Sequence, residues 1–97
     1  MKRSIHREAE RDLGDAARYY QAQAGSAVAS RFMDEFERVA KLLEANPGYG
    51  TPTRSGRRIY PLRGFPYSPI YRLTSDEIRI LVVRHQSRNP AFGSGRA

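Results

Sequence analysis

The residue types best suited to chemistry stand close together near the C-terminus, in the segment Arg84-His85-Gln86-Ser87-Arg88. His85 is one of two histidines, and it follows an apolar run that is typical of a buried strand. At the end of such a strand an imidazole could exchange a proton near neutral pH, and arginines beside it could stabilise negative charge. The structural alternative is a histidine that hydrogen-bonds a neighbouring loop. The residues alone leave both interpretations open.

Beyond this segment, the chain offers arginines rather than ligands or nucleophiles. There is no cysteine, and no carboxylate or second histidine stands at ligand spacing from His85, so we expect no metal ion and no cofactor. The loop glycines match no nucleotide-binding fingerprint. A guanidinium grips phosphate or carboxylate through two parallel hydrogen bonds, which makes arginines on the predicted strands candidates for binding. These are Arg58, Arg63, Arg72, Arg84 and Arg88.

The positive charge is segregated along the chain. Residues 1–46 contain eight basic and eight acidic side chains, whereas residues 47–97 contain nine arginines and only two acidic residues. The second half therefore carries the whole formal net charge of +7. This segregation favours a surface for phosphates or for an acidic protein segment over a merely solvated exterior.

Apolar residues at helical spacing predict two helices, over residues 7–23 and from Ser26 to about residue 45. Gly25 can end the first helix, and Ser26 can cap the second. Because so short a connection makes the helices antiparallel neighbours, we expect a helical hairpin whose two apolar stripes enter the core.

After residue 56 the apolar period changes to two, which predicts strands over 58–62, 67–73 and 77–86, with a short strand at 4–6. Ile78, Ile80 and Val82 should share one face of the last strand. Pro69 interrupts the middle strand, so we expect a bulge there. The predicted fold is α+β, β-α-α-β-β-β, with the hairpin on one face of a small, mainly antiparallel sheet and the other face open. We expect one domain over 1–97, with 93–97 as a flexible tail.

Several segments follow the order of a known family. The order runs from Ala9, Asp12-Leu13 and Tyr19-Tyr20 through Phe32 and Phe36 to Asn46-Pro47, and then through Phe65-Pro66-Tyr67-Ser68, Ile70-Tyr71-Arg72 and His85-x-x-Arg88-x-Pro90. It resembles the RelE/ParE superfamily of toxins from type II toxin–antitoxin systems over nearly the whole chain. The resemblance implies a cytoplasmic protein without a membrane partner. It also implies a hetero-oligomer with a cognate antitoxin, whose acidic C-terminal segment would suit the basic second half.

Two activities occur in this superfamily. RelE-like members cut mRNA on the ribosome, whereas ParE-like members inhibit DNA gyrase and lack the nuclease residues. Ser68 stands where RelE-like sequences tend to place an arginine, and Phe92 stands where they tend to place a tyrosine. Both departures favour the ParE-like, non-enzymatic interpretation. Together with Pro69, they also leave open an attenuated toxin that only binds its antitoxin.

The resemblance assigns candidate residues for each activity. A ribonuclease would draw its catalytic groups from Arg58, Arg63, His85 and Arg88, because the reaction needs a proton carrier and several cations. Binding of antitoxin or target would use the exposed basic surface and its neighbours, namely Arg58, Arg63, Arg72, Arg84, His85, Arg88 and Phe92.

Overall fold

A computed structural model describes residues 1–97 and confirms the α+β fold. Its elements are β1 (Lys2–Ile5), α1 (Arg7–Ala24), α2 (Ser26–Ala45), β2 (Thr51–Pro52), β3 (Arg57–Ile59), β4 (Tyr67–Leu73) and β5 (Glu77–His85). The sheet order is β1-β5-β4-β3-β2; β1 is parallel to β5, and the other pairs are antiparallel. The short β2 lies between α2 and β3, in a segment for which the apolar spacing predicts no strand. No helix is both long enough and apolar enough to cross a membrane.

The helical hairpin forms where the apolar spacing predicts it. His6 precedes α1, and its Nδ1 accepts a hydrogen bond from the Glu8 backbone N–H at 3.0 Å. Gly25, with φ of +90°, ends α1 and also precedes α2. The predicted cap at Ser26 is wrong, because this residue already belongs to α2 and no side chain caps the helix. The turn therefore depends on the conformational freedom of glycine.

The main core lies between the hairpin and one face of the sheet. Phe32, Val39 and Leu43 of α2 are fully buried against strand residues that include Tyr71 and Ile80. The Tyr71 hydroxyl donates a hydrogen bond to the Pro47 carbonyl at 2.7 Å and accepts one from the Gly50 N–H at 2.9 Å. A Cβ atom at Gly50 would lie 2.5 Å from that hydroxyl oxygen, so a side chain there is excluded.

A bulge in β5 reverses which side chains face the hairpin. Ile70 of β4 pairs with Val82, but the next residue, Tyr71, pairs with Ile80, which leaves Leu81 as an extra residue. The predicted irregularity near Pro69 is therefore present, one residue further along β4. The prediction that Val82 shares a face with Ile80 is wrong, because the extra residue shifts the alternation by one.

The sequence suggested that the second face of the sheet is open. The structure shows instead that part of this face is covered. Ile70, Leu81 and Val82 form a small apolar cluster on this face, and Phe92 packs against it from the C-terminal segment. The residues expected to be a flexible tail, 93–97, lie across the sheet with defined contacts. Their mobility stays a prediction, but their position makes them a cover for the second face.

Candidate functional site

His85 ends β5 on the hairpin side of the sheet. Its Nδ1 accepts a hydrogen bond from the Ser87 backbone N–H at 3.0 Å, and the Ser87 hydroxyl oxygen lies 2.8 Å from the same nitrogen. The Tyr67 ring meets the imidazole edge-on, with centroids 4.9 Å apart. Because a backbone N–H can only donate, neutral His85 carries its proton on Nε2. In that form Nε2 is a donor, so it is poorly placed to remove a proton from a substrate.

A groove runs between α1 and the end of β5, lined by Tyr19, Tyr67, His85 and Arg88; we call it the His85 groove. Its outer part has a volume of about 300 Å³. Tyr19 is 57% exposed at the rim. Burial raises the pKa of Tyr67, and the neighbouring Tyr19 raises it further. A phenol with a raised pKa stays protonated at neutral pH, so Tyr67 supplies a donor there rather than a base.

Arg84, Arg88 and Phe92 gather around the C-terminal segment. The Arg88 guanidinium lies 4.7 Å from the centre of the Phe92 ring, and Arg96 lies 5.0 Å from the same ring. Arg84 donates a hydrogen bond to the Pro90 carbonyl at 3.1 Å. Two cations therefore contact the Phe92 ring, an arrangement that stabilises it electrostatically as well as through burial.

Of the three remaining sequence candidates, Arg72 stands on the second face of the sheet opposite Arg57, and Arg58 and Arg63 lie elsewhere. Arg58 faces the hairpin side, where it donates hydrogen bonds to the carbonyls of Gly48 and Gly50 at 3.1 and 2.8 Å. Arg63 has an exposed side chain, and its backbone N–H donates to the Glu35 carboxylate at 2.6 Å. Neither lines the His85 groove. Of the four candidates for a ribonuclease, the structure brings together only His85 and Arg88.

The sequence did not predict a polar contact between Asp12 and Arg96, which lies on the free edge of β5. Strand β1 pairs with β5 only as far as Ile80. Beyond it, the Asp12 carboxylate accepts from the Val83 N–H at 3.0 Å, and Arg96 donates to the Leu81 carbonyl at 3.0 Å. Arg96 also binds Asp12 through both guanidinium nitrogens, at 2.6 and 3.2 Å. The two side chains thus take the place of a neighbouring strand, and 84 residues separate them in sequence.

Arg57 is a second residue that the sequence did not single out. It is the one charged residue among the buried side chains. Its guanidinium donates hydrogen bonds to the carbonyls of Gly93, Ser94 and Arg96 in the covering segment. Burial lowers the pKa of Arg57, and the nearby charges of Arg72 and Arg96 lower it further. In the sequence it is one arginine of an Arg-Arg pair, and only the strand boundary shows that it faces inward.

This architecture, a helical hairpin against a five-stranded sheet with a basic far face, defines a class of small toxins. Residues 4–90 match the model of the family described as "ParE toxin of type II toxin-antitoxin system, parDE". Toxin ParE2 of Mycobacterium tuberculosis, from strains CDC 1551 and H37Rv, is 33% identical over 86 residues, which are 89% of this chain and 82% of the relative. The chain belongs to the ParE toxin family.

A solved structure supports the same assignment. A chain of the "Chromosomal ParDE TA system from P. aeruginosa" superposes with a TM-score of 0.78 at 28% identity. The match covers 88% of this chain and 95% of the other. The resemblance drawn from the sequence, to ParE-like more than to RelE-like toxins, is therefore confirmed as a family assignment.

Proposed function

We propose that this ParE-family toxin arrests growth by inhibiting DNA gyrase in the cytoplasm and that a cognate antitoxin neutralises it by binding. The observation that carries the proposal is the dispersal of the ribonuclease candidates. His85 and Arg88 share a groove, but Arg58 and Arg63 serve loop and helix contacts elsewhere. A surface without an assembled proton carrier and cation set suits binding rather than RNA cleavage.

The test is a supercoiling assay with purified gyrase, relaxed plasmid and the purified chain. We expect supercoiling to fall as the chain is added, and to return when an antitoxin encoded beside it is supplied. A weaker inhibition by His85→Ala would report a lost binding contact, because the proposal gives the imidazole no chemical role. Full supercoiling at a large molar excess of folded chain would contradict the proposal.

A second candidate, ribosome-dependent mRNA cleavage, is favoured by one observation. Tyr19, His85 and Arg88 line one groove that is open to solvent. The same purified chain should therefore be added to translating ribosomes, with cleavage mapped on the message. Cuts that vanish in His85→Ala would support this candidate, whereas a chain that neither cuts nor inhibits gyrase but binds its antitoxin would be an attenuated toxin.

A further inference from the structure

A cavity of about 280 Å³ lies between the second face of the sheet and the C-terminal segment; we call it the Ile70 cavity. Ile59 of β3 and Ile70 of β4 stand directly opposite each other and line the sheet side of this cavity. Pro90 and Phe92 of the C-terminal segment line another side, and the connection between β2 and β3 lines a third. Three separate segments of the chain therefore meet around one partly apolar space.

The charged groups of the cavity wall are all basic. Arg54, Arg57 and Arg84 line the cavity, and no carboxylate does. None of these three arginines belongs to any of the six ion pairs of the structure. Positive charge beside apolar surface, without a counter-charge from the chain itself, favours an anionic ligand that also has an apolar part.

The three guanidiniums differ in how far their hydrogen bonds are used. Those of Arg57 go to three backbone carbonyls of the C-terminal segment, so this side chain serves the wall of the cavity. Arg84 donates to the Pro90 carbonyl at 3.1 Å, and the side chain of Arg54 is exposed. Because a guanidinium has five N–H donors, Arg54 and Arg84 keep donors for a ligand.

The backbone next to Arg54 adopts an unusual conformation. Ser55 has a φ of +69° and is the only non-glycine residue of the chain with a positive φ. Residues in such sparsely populated conformations cluster at ligand clamps and other functional sites. This turn places both Arg54 and Ser55 in the cavity wall, on a different segment from Phe92. The strain therefore occurs where a ligand clamp would require it.

We propose that the Ile70 cavity binds a small organic anion, in which an apolar ring or branched chain carries a carboxylate or a phosphate. The apolar part packs against Ile59, Ile70 and Phe92, and the anionic group accepts hydrogen bonds from Arg54 and Arg84. Since the share of one water in the liquid is about 30 Å³, the cavity has room for about ten non-hydrogen atoms. A helix with its side chains is about 10–12 Å across, so the cavity is too small for one.

Such a ligand connects the sheet with the C-terminal segment. Its site exists only while Phe92 lies on the second face and the turn at Ser55 is formed. A ligand that binds only this folded arrangement stabilises it by mass action. The anion is therefore an effector that holds the C-terminal segment against the sheet.

The test titrates the isotope-labelled full chain with benzoate and with phenyl phosphate, and follows its amide signals by NMR. We expect saturable shifts at the amides of Ser55 and Ser94, which line the cavity on different segments. The Kd should be millimolar or tighter, because a ligand of about ten atoms makes few contacts. Benzamide keeps the ring and lacks the charge, so it should bind at least about tenfold more weakly than benzoate.

Two sets of variants test the assigned arginines. Arg54→Gln/Arg84→Gln should weaken benzoate binding at least about tenfold, because the charge-assisted hydrogen bonds are lost. The matched control is Arg11→Gln/Arg31→Gln, which removes the same charge from exposed helix positions and should weaken binding less than about twofold. Arg84→Lys keeps the charge without the planar fork and should weaken binding by several fold.

Three results would overturn the proposal. The first is the absence of saturable shifts with either probe at about 10 mM. The second is equal binding of benzamide and benzoate. The third is an equal loss in the cavity and control variants, which would mean general attraction to a basic chain. If the loss of Arg84 loosens the C-terminal segment, the spectrum of the variant shows it, and the comparison of probes on the unmodified chain still decides.

The titration contains neither gyrase nor antitoxin. Its outcome is therefore independent of the proposed function, and either proposal can fail while the other stands.

Discussion

The two faces of the sheet are closed by different means. On the hairpin side, thirteen buried residues form one apolar core, and the burial of large side chains supplies most of the stabilisation. On the other side only three residues form the buried cluster, and a short segment is held there by arginine hydrogen bonds to its carbonyls. The first face can hold its shape through packing alone. The second depends on directional polar contacts from arginine side chains.

The largest expected effect comes from the packed face. Leu43 of α2 is fully buried, so Leu43→Ala should lower the free energy of unfolding by about 3–4 kcal/mol through lost burial and a cavity. Phe92→Ala, on the other face, should cost only about 1–2 kcal/mol, because that side chain is partly exposed. Urea denaturation followed by circular dichroism measures both. Equal costs would mean that the covering segment is as much a part of the core as the hairpin.

The next effect tests the polar closure of the free edge of β5. Arg96→Met should cost about 2–3 kcal/mol, because it leaves the nearly buried Asp12 carboxylate without its cation. Arg18→Met is the matched control. The Arg18 side chain is 72% exposed and that of its partner Asp15 is 65% exposed, so this ion pair should contribute less than about 0.5 kcal/mol. If the two variants unfold at the same urea concentration, the Asp12–Arg96 contact does not hold the segment.

Tyr71→Phe tests a polar contact at the rim of the packed face. It removes the acceptor of the Gly50 N–H and the donor to the Pro47 carbonyl, so we expect a loss of about 1–2 kcal/mol. Tyr49→Phe, at a residue 58% exposed, should change little. A Tyr71→Phe protein as stable as the unmodified chain would show that water replaces the hydroxyl and that packing alone fixes the loop.

The smallest effect is a difference in acid response. The hydrogen bond with Arg38 lowers the pKa of Glu35, and that with Arg3 lowers the pKa of Glu37, both from an ordinary value of 4.5. In the interval between the lowered and the ordinary pKa, the unfolded chain binds more protons than the folded one. Stability from these carboxylates is therefore complete above pH 4.5 and is lost as the pH falls through the lowered values.

Denaturation midpoints measured at a series of acidic pH values check this response. Glu37→Gln should flatten the fall in stability below pH 4.5, because glutamine does not titrate. Asp34→Gln is a control on the same helix, at an exposed position without an ion pair. A Glu37→Gln profile that falls as steeply as that of the unmodified chain would mean that the Arg3 contact does not couple to folding.

Much of the fold follows from local patterns. The apolar stripes place both helices within a residue of their observed bounds, because helix formation depends on neighbours three and four positions away. The middle strand, residues 67–73, matches fully. Tyr67 and Tyr71 stand four residues apart in this strand, so strand alternation places them on one face, and the structure shows that this is the hairpin face. The site was harder to predict: Ser87, which sets the tautomer of His85, is local in sequence, but Tyr67 and Tyr19, which complete the groove, are distant.

By itself, the sequence determined the helical hairpin, the antiparallel strands, the family and the basic character of the second half. Each of these features follows from the spacing, composition or motifs of residues that are close together in the sequence. The tertiary structure alone decided which residues share the second face. A single extra residue at Leu81 shifts the alternation of β5, and strand register aligns Arg57, Arg72 and Arg79. The tertiary structure also brings Asp12 of α1 into contact with Arg96. These placements depend on pairing between distant segments, and local periodicity contains no information about that pairing.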